Sequence, residues 1–155
     1  MAITFIVALV VFITDFCLKT YLRLNFGESS LPVIENVFHI TLVYNKGAAF
    51  GILQGQTTLL IAIAVVFLII FVKYISLEAT NKALFFVSYG LILGGAISNL
   101  CDRIFLGYVI DYLDFRIWPV FNISDTCITL GAGCLLFQSM NWKFTKKKPD
   151  RSSGL

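Results

Sequence analysis

Four stretches of this chain are apolar for long enough to cross a bilayer, which takes about 20 helical residues. They run from about Ala2 to Tyr21, Thr57 to Ile75, Ala83 to Cys101 and Ile123 to Met140. The first carries Asp15 and Lys19, and the second has no charge before Lys73. The third is uncharged and holds Gly94-Gly95, and the fourth has Asp125 near its start. The connection from Leu22 to Gln56 is too long for a structureless loop. Within it, Val37 to Tyr44 is β-branched and aromatic and reads as a strand. Phe38, Ile40, Leu42 and Tyr44 fall on one side of that strand, and His39, Thr41 and Val43 on the other. The pattern predicts an all-α membrane protein with four transmembrane helices and a small extracytoplasmic sheet cradle in loop 22–56. There is no internal repeat.

Composition narrows the class. Of 155 residues, 58% are hydrophobic and 14% charged, against about 45–50% and about 25% in soluble domains. Mean hydropathy is +0.86. Disorder needs the opposite balance, and four cysteines are too few for a disulfide scaffold. Cys17, Cys101, Cys127 and Cys134 have no CxxC spacing and read as small buried hydrophobes. His39 is the only histidine, which excludes a His-rich zinc site. No Lys or Arg precedes Lys19 and no A-x-A follows the first segment, so that segment reads as a retained helix rather than a cleavable leader. One domain over residues 1–151 is expected, with Ser152-Ser153-Gly154-Leu155 as a cloning scar.

Basic residues in short loops and tails report orientation. Seven of the twelve Lys and Arg (Lys73, Lys82, Lys143, Lys146, Lys147, Lys148 and Arg151) would be cytoplasmic if the N-terminus is. Both termini are therefore expected inside. Asp15 then lies ~20 Å along its helix, in the outer third of the membrane. Asn99, Asp102 and Arg103 fall at the outer end of the third segment, and Asn122 and Asp125 at the outer end of the fourth. Asp111 and Asp114 lie in the outer loop between them. Charged groups at such depth are costly and point to function.

Spacing adds detail. Gly95, Asn99 and Arg103 share a helix face, as do Asp15 and Lys19, and Asp125 and Thr129. Gly95 admits close approach of another backbone. Plainer readings stand beside these. Asn122-x-x-Asp125 also fits a helix cap, Arg103 a helix-end charge, Asp15–Lys19 a structural ion pair, and Asp111 a solvated loop carboxylate. Trp118 and Tyr112 suit an interfacial belt.

The chain has no metal cluster, Walker loop or cofactor fingerprint, and its Ser and Thr lack a base. Two carboxylates that share a proton remain, one activating water while the other polarises a carbonyl. Which two is left open by the residues alone. A rival reading is a small proton-coupled transporter or channel subunit with Asp15, Asp111 and Asp125 as a relay through the membrane. Another is a non-catalytic assembly protein whose polar groups join helices.

Five motifs in order carry a resemblance: Asp15-x-x-x-Lys19; Asn45-Lys46-Gly47-Ala48-Ala49-Phe50-Gly51; Gly94 to Arg103; Gly107 to Phe115; and Trp118 to Asp125. In these the chain resembles the lipoprotein signal peptidase (signal peptidase II) family. The resemblance implies an aspartic endopeptidase of the bacterial inner membrane. Such an enzyme cuts diacylglyceryl-modified prolipoproteins on the N-terminal side of the lipidated Cys. It implies Asp111 and Asp125 as catalytic, Asn45, Asn99 and Arg103 as substrate-binding, and Asp15, Lys19, Gly95, Asn122, Asp102 and Asp114 as supporting residues. No metal or cofactor is expected. The expected partners are prolipoproteins, membrane lipid and globomycin-type inhibitors, with no nucleic acid, on a monomeric enzyme whose site lies near the outer leaflet. Ser98 and Ser124 stand where the family more often has Gly and Ala, and Ser98 is expected to alter the fit beside the pocket.

Overall fold

The computed structural model describes residues 1–27, 30–48, 51–77 and 83–146. Along them run α1 (Ala2–Asn25), β1 (Ser30–Ile34), β2 (Phe38–Asn45), α2 (Thr57–Leu77), α3 (Ala83–Leu106), β3 (Val109–Asp114) and α4 (Ile123–Lys146). All four apolar stretches are helical, and every helix continues past its expected end. Apolar length measures the bilayer core, whereas a helix runs on until something stops it. For α3 the stop is Gly107, at φ +83, whose N–H bonds the Arg103 carbonyl at 3.1 Å. Asp102 and Arg103 are therefore held on the helix rather than beyond it.

Among the described residues, α1, α3 and residues 57–75 of α2 are long and apolar enough to cross a membrane. The helix expected as a fourth span, α4, matches α1 and α3 at 24 residues. Its apolar run is diluted by Ser124, Asp125, Thr126, Thr129, Gln138 and Ser139.

Packing in the bundle inverts the soluble pattern. The buried positions of α1 are Thr4, Ala8, Val11, Asp15, Lys19 and Leu22, a single stripe at three- and four-residue spacing. Phe5, Ile6, Leu9, Val10, Ile13 and Phe16 point outward, where lipid rather than water suits them. α3 lies between α1 and α4. A Cβ on Gly94 would come within 2.5 Å of the Ala8 carbonyl oxygen, and one on Gly95 within 2.6 Å of the Ser124 carbonyl oxygen. The two glycines thus let α1 and α4 approach α3 on different sides. Gly94 beside Ala8 and Ser98 beside Asp15 make α1 and α3 parallel. Gly95 against Ser124 and Gly131 against Ser88 make α4 antiparallel to α3. Among the described residues α2 packs chiefly on α3 and is largely exposed.

The predicted strand forms one residue later than expected, leaving Val37 in a turn. It is the middle of an antiparallel sheet ordered β1-β2-β3. β1 is too short and too interrupted by Pro32 to announce itself in the sequence. β3 is equally short, and its partner lies far up the chain, with Val43 opposite Asp111 and Asn45 opposite Val109. Leu22, Leu42, Ile110 and Tyr112 form the core that seats the sheet on the helix ends. Tyr112 is fully buried there, so the interfacial role expected for it is wrong: strand alternation turns it inward beside Ile110's cluster. Trp118 is 59% exposed.

Lys82, Lys147, Lys148, Arg151 and residues 152–155, on which much of the expected orientation and the expected scar rest, lie outside the described residues. Ala49 and Phe50 do too.

Candidate active site

The ends of α1 and α3, the start of α4 and the whole of β3 meet at one end of the bundle. Each brings polar side chains for a local reason. α4 begins with a reciprocal cap: the Asp125 N–H donates to Asn122 Oδ1 (2.8 Å), and the Asn122 N–H donates to Asp125 Oδ2 (3.3 Å). The cap reading of Asn122-x-x-Asp125 is therefore correct, and it does not compete with a role in the site. Because Asn122 Oδ1 accepts a backbone N–H, its amide cannot flip, and its Nδ2 faces inward. That nitrogen donates to Asp111 Oδ1 (2.7 Å), to Asn99 Oδ1 (3.1 Å) and to the Ile110 carbonyl (3.3 Å).

Asp111 is 2% exposed and also accepts from Asn45 Nδ2 at 2.9 Å. Asn45 pairs with Val109, two residues from Asp111 on the same face of the sheet. Asp125, partly exposed, accepts from Asn99 Nδ2 at 2.8 Å. Burial, and after it the Asp125 charge, push the Asp111 carboxyl up to about 7, against the pull of the Asn45 amide. The two carboxylates thus share one amide clasp, Asn122, and Asp111 feels the charge of Asp125.

Beneath them is a buried ionic cluster. Lys19 Nζ lies 2.7 Å from Asp15 Oδ2 and 2.8 Å from Asp102 Oδ2, and donates to Asn99 Oδ1 at 2.9 Å. The ion pair expected between Asp15 and Lys19 is present, and Lys19 also ties α1 to α3. Its three donors are matched by three acceptors. Asp102 accepts the Ile110 N–H at 3.2 Å, fixing β3 to α3. Asp15 accepts from Ser98 Oγ (2.7 Å), Ser124 Oγ (2.6 Å) and the Tyr112 hydroxyl (2.9 Å). Burial, and after it the Asp15 charge, raise the Tyr112 pKa and keep that hydroxyl a donor.

Arg103 Nη2 donates to the Gly47 carbonyl at 3.1 Å, which draws the loop after β2 toward α3. Asn45 Oδ1 accepts the Gly47 N–H at 2.9 Å and shapes the same turn. Gly95 allows α4 to come close enough for the bonds of Asn99 to Asp125 and Asn122. Asp114 stands apart. Three residues from Asp111, it faces away from it on the strand. It accepts from Thr41 (2.9 Å) and from the Arg116 N–H (2.8 Å) and guanidinium (3.1 Å). Those donors outweigh its burial and hold its carboxyl below the usual range.

Two expectations change here. Ser98 points to Asp15 rather than into the space beside the two aspartates. Asp15, Asp111 and Asp125 cluster at one end of the bundle, whereas a relay needs carboxylates spread through the membrane. Ser124 and Tyr112 are not among the expected site residues, although each is the sequence neighbour of one that is: Asp125 and Asp111. Gly47 acts through its backbone carbonyl.

Residues 7–141 match the family model for signal peptidase (SPase) II. The chain is 47% identical to a lipoprotein signal peptidase of Halothermothrix orenii over 133 residues, covering 85% of this chain and 91% of the relative. It is 42% identical to a lipoprotein signal peptidase of Moorella thermoacetica, covering 86% and 89%. A solved bacterial membrane enzyme superposes with a TM-score of 0.89 at 29% identity, covering 97% of this chain and 94% of that one. A second superposes at 0.81 with 30% identity, covering 89% and 92%.

Proposed function

The chain belongs to the signal peptidase II family and removes signal peptides from prolipoproteins; we propose that it does so as an aspartic endopeptidase with Asp111 and Asp125 as its catalytic pair. The observation that carries this reading is the clasp. One amide, Asn122, holds Asp111 through its side chain and Asp125 through its backbone, bringing carboxylates from β3 and α4 to one place.

Asp111, with its raised pKa, is the proton-bearing member near neutral pH. It hydrogen-bonds the scissile carbonyl oxygen. Asp125, more open and bonded by Asn99 and the Asn122 N–H, is the ionised member. It takes a proton from water as the water adds to the carbonyl carbon. The tetrahedral intermediate then collapses, and the leaving amine receives a proton from the pair. The bond cut lies on the N-terminal side of the diacylglyceryl-modified Cys. Asn99 and Arg103 on α3 and Asn45 at the end of β2 bind substrate backbone.

In this reading residues 1–151 are one peptidase domain and α4 is the fourth span. Both termini are cytoplasmic, and the site lies near the outer leaflet with the substrate's acyl chains in lipid. The test is cleavage of a diacylglyceryl-prolipoprotein by purified protein. Asp111→Asn and Asp125→Asn should each lower kcat by roughly 10³-fold or more while the protein still folds and inserts. Native turnover in either variant refutes the pair.

A further inference from the structure

Asp15 is completely buried and receives donors from four elements. They are Lys19 of α1 itself, Ser98 of α3, Tyr112 of β3 and Ser124 of α4. Oδ2 takes Lys19, Ser98 and Ser124, and Oδ1 takes Tyr112, so both oxygens are engaged. The sequence positions of the hydroxyls carry the argument. Ser98 immediately precedes Asn99, Ser124 immediately precedes Asp125, and Tyr112 immediately follows Asp111. One residue is a rise of about 1.5 Å on a helix and about 3.3 Å on a strand. A hydroxyl fixed on Asp15 therefore fixes the height of the neighbouring site residue. The Tyr112 oxygen also accepts the Ile123 N–H at 3.1 Å, which ties β3 to the first turn of α4. Lys19, anchored on Asp15, turns the Asn99 amide so that its Nδ2 meets Asp125.

We propose that the Asp15 carboxylate with the hydroxyls of Ser98, Tyr112 and Ser124 is a registering joint. These are positioning residues that set the height at which Asp111 and Asp125 meet, and so govern turnover rather than substrate binding. None of the three hydroxyls faces the space between the two aspartates. The inference rests on the Asp111–Asp125 reading and goes beyond it by assigning turnover to residues that never touch substrate.

The experiment uses the full chain in lipid with a diacylglyceryl-prolipoprotein. Ser98→Ala, Ser124→Ala and Tyr112→Phe are made singly and together, in the native and Asp15→Asn backgrounds. Losing one hydrogen bond to a buried charge should lower kcat roughly tenfold, with KM changing less than about twofold. In the Asp15→Asn background the same substitutions should add little, because their effect runs through the missing carboxylate. If the Asp15→Asn protein does not accumulate, the Ser98→Ala/Ser124→Ala pair carries the same test through a combined loss well short of the product. Unchanged kcat with a lowered Tm would overturn the joint, as would losses that multiply fully. Asp111→Asn is the control. If it cleaves, the catalytic pair itself falls; if it is inert while the hydroxyl variants keep native kcat, only the joint falls.

Discussion

At the end of the bundle where α1 and α3 finish and α4 starts, Asp15, Lys19, Asn99, Asp102 and Asn122 are all buried, and each is bonded to another. At the opposite end, among the described residues, the buried polar side chains are sparse and uncharged. Ser88 bonds its own helix at the Leu84 carbonyl and accepts from Gln138 Nε2 at 3.3 Å. Of the three buried side-chain atoms without a hydrogen-bond partner among the described residues, Gln138 Oε1 and Thr4 Oγ1 lie at this end and His39 Nε2 lies on β2. Both ends bring the same three helices together, yet only one does so through charge. A fully satisfied network fixes one arrangement of side chains, because every alternative leaves a buried group unpaired. A partly satisfied one only costs stability. The difference separates polar residues that hold geometry from polar residues that are merely accommodated.

The comparison breaks most severely at Lys19. Lys19→Met keeps most of the volume and removes the only cation between Asp15 and Asp102. Leaving buried charges uncompensated should destabilise the protein by about 3–5 kcal/mol, seen as a fall in Tm in detergent or lipid. A loss under about 1 kcal/mol would mean that water reaches the cluster, and that the two ends do not differ in kind.

A smaller effect is expected from Gly95→Ala. The added Cβ meets the backbone oxygen of Ser124 at 2.6 Å, and backbone cannot rotate away. α4 must shift, at about 1–3 kcal/mol, and Ser124 and Asp125 move with it. Activity should therefore fall more than Tm alone explains. Gly133→Ala on α4, where nothing lies within 4 Å of the new Cβ, is the control and should lower neither.

Titration sharpens the contrast, since among the described residues the buried charges lie at the site end. Asp111 is raised from 3.8 to about 7. Protonated Asp111 is the competent form, so kcat/KM should fall as pH rises through about 7, by roughly tenfold per unit beyond it. The stability sign follows from linkage. The folded chain binds this proton more tightly than the unfolded one. Stability from this group is therefore complete below about 3.8 and is lost as pH rises toward about 7. Asp111→Asn should remove that stretch of the stability profile. A pH-independent Tm difference between the two proteins across this range would show that Asp111 is not raised.

How much of this could be read in the sequence depends on how local each signal is. Helices followed from apolar length, and the meeting of Asp15, Asn99 and Asp125 followed from counting residues to one depth. β3 did not follow, because its partner β2 is more than 60 residues away and its two aspartates obscure the alternation. Without the strand, Tyr112 suits the membrane interface, whereas on β3 it faces the helices. The strand also puts Asp114 on the face opposite Asp111. Asn122 looked ambiguous between cap and site because the sequence shows spacing, whereas the two roles use different atoms of one residue.

The least disruptive change completes the contrast. Gln138→Leu removes an amide whose oxygen has no partner and whose nitrogen makes a 3.3 Å bond to Ser88 and a 3.1 Å bond to the Cys134 carbonyl of its own helix. Ser88 keeps its bond to the Leu84 carbonyl, so no donor is stranded. The desolvation cost of the unpaired oxygen disappears, and the two lost bonds offset that gain. The net change in stability should stay within about 1 kcal/mol of zero, with kcat unchanged. A loss as large as that from Lys19→Met would mean that polar contacts hold the opposite end as firmly as they hold the site. Charge would then not be what distinguishes the two.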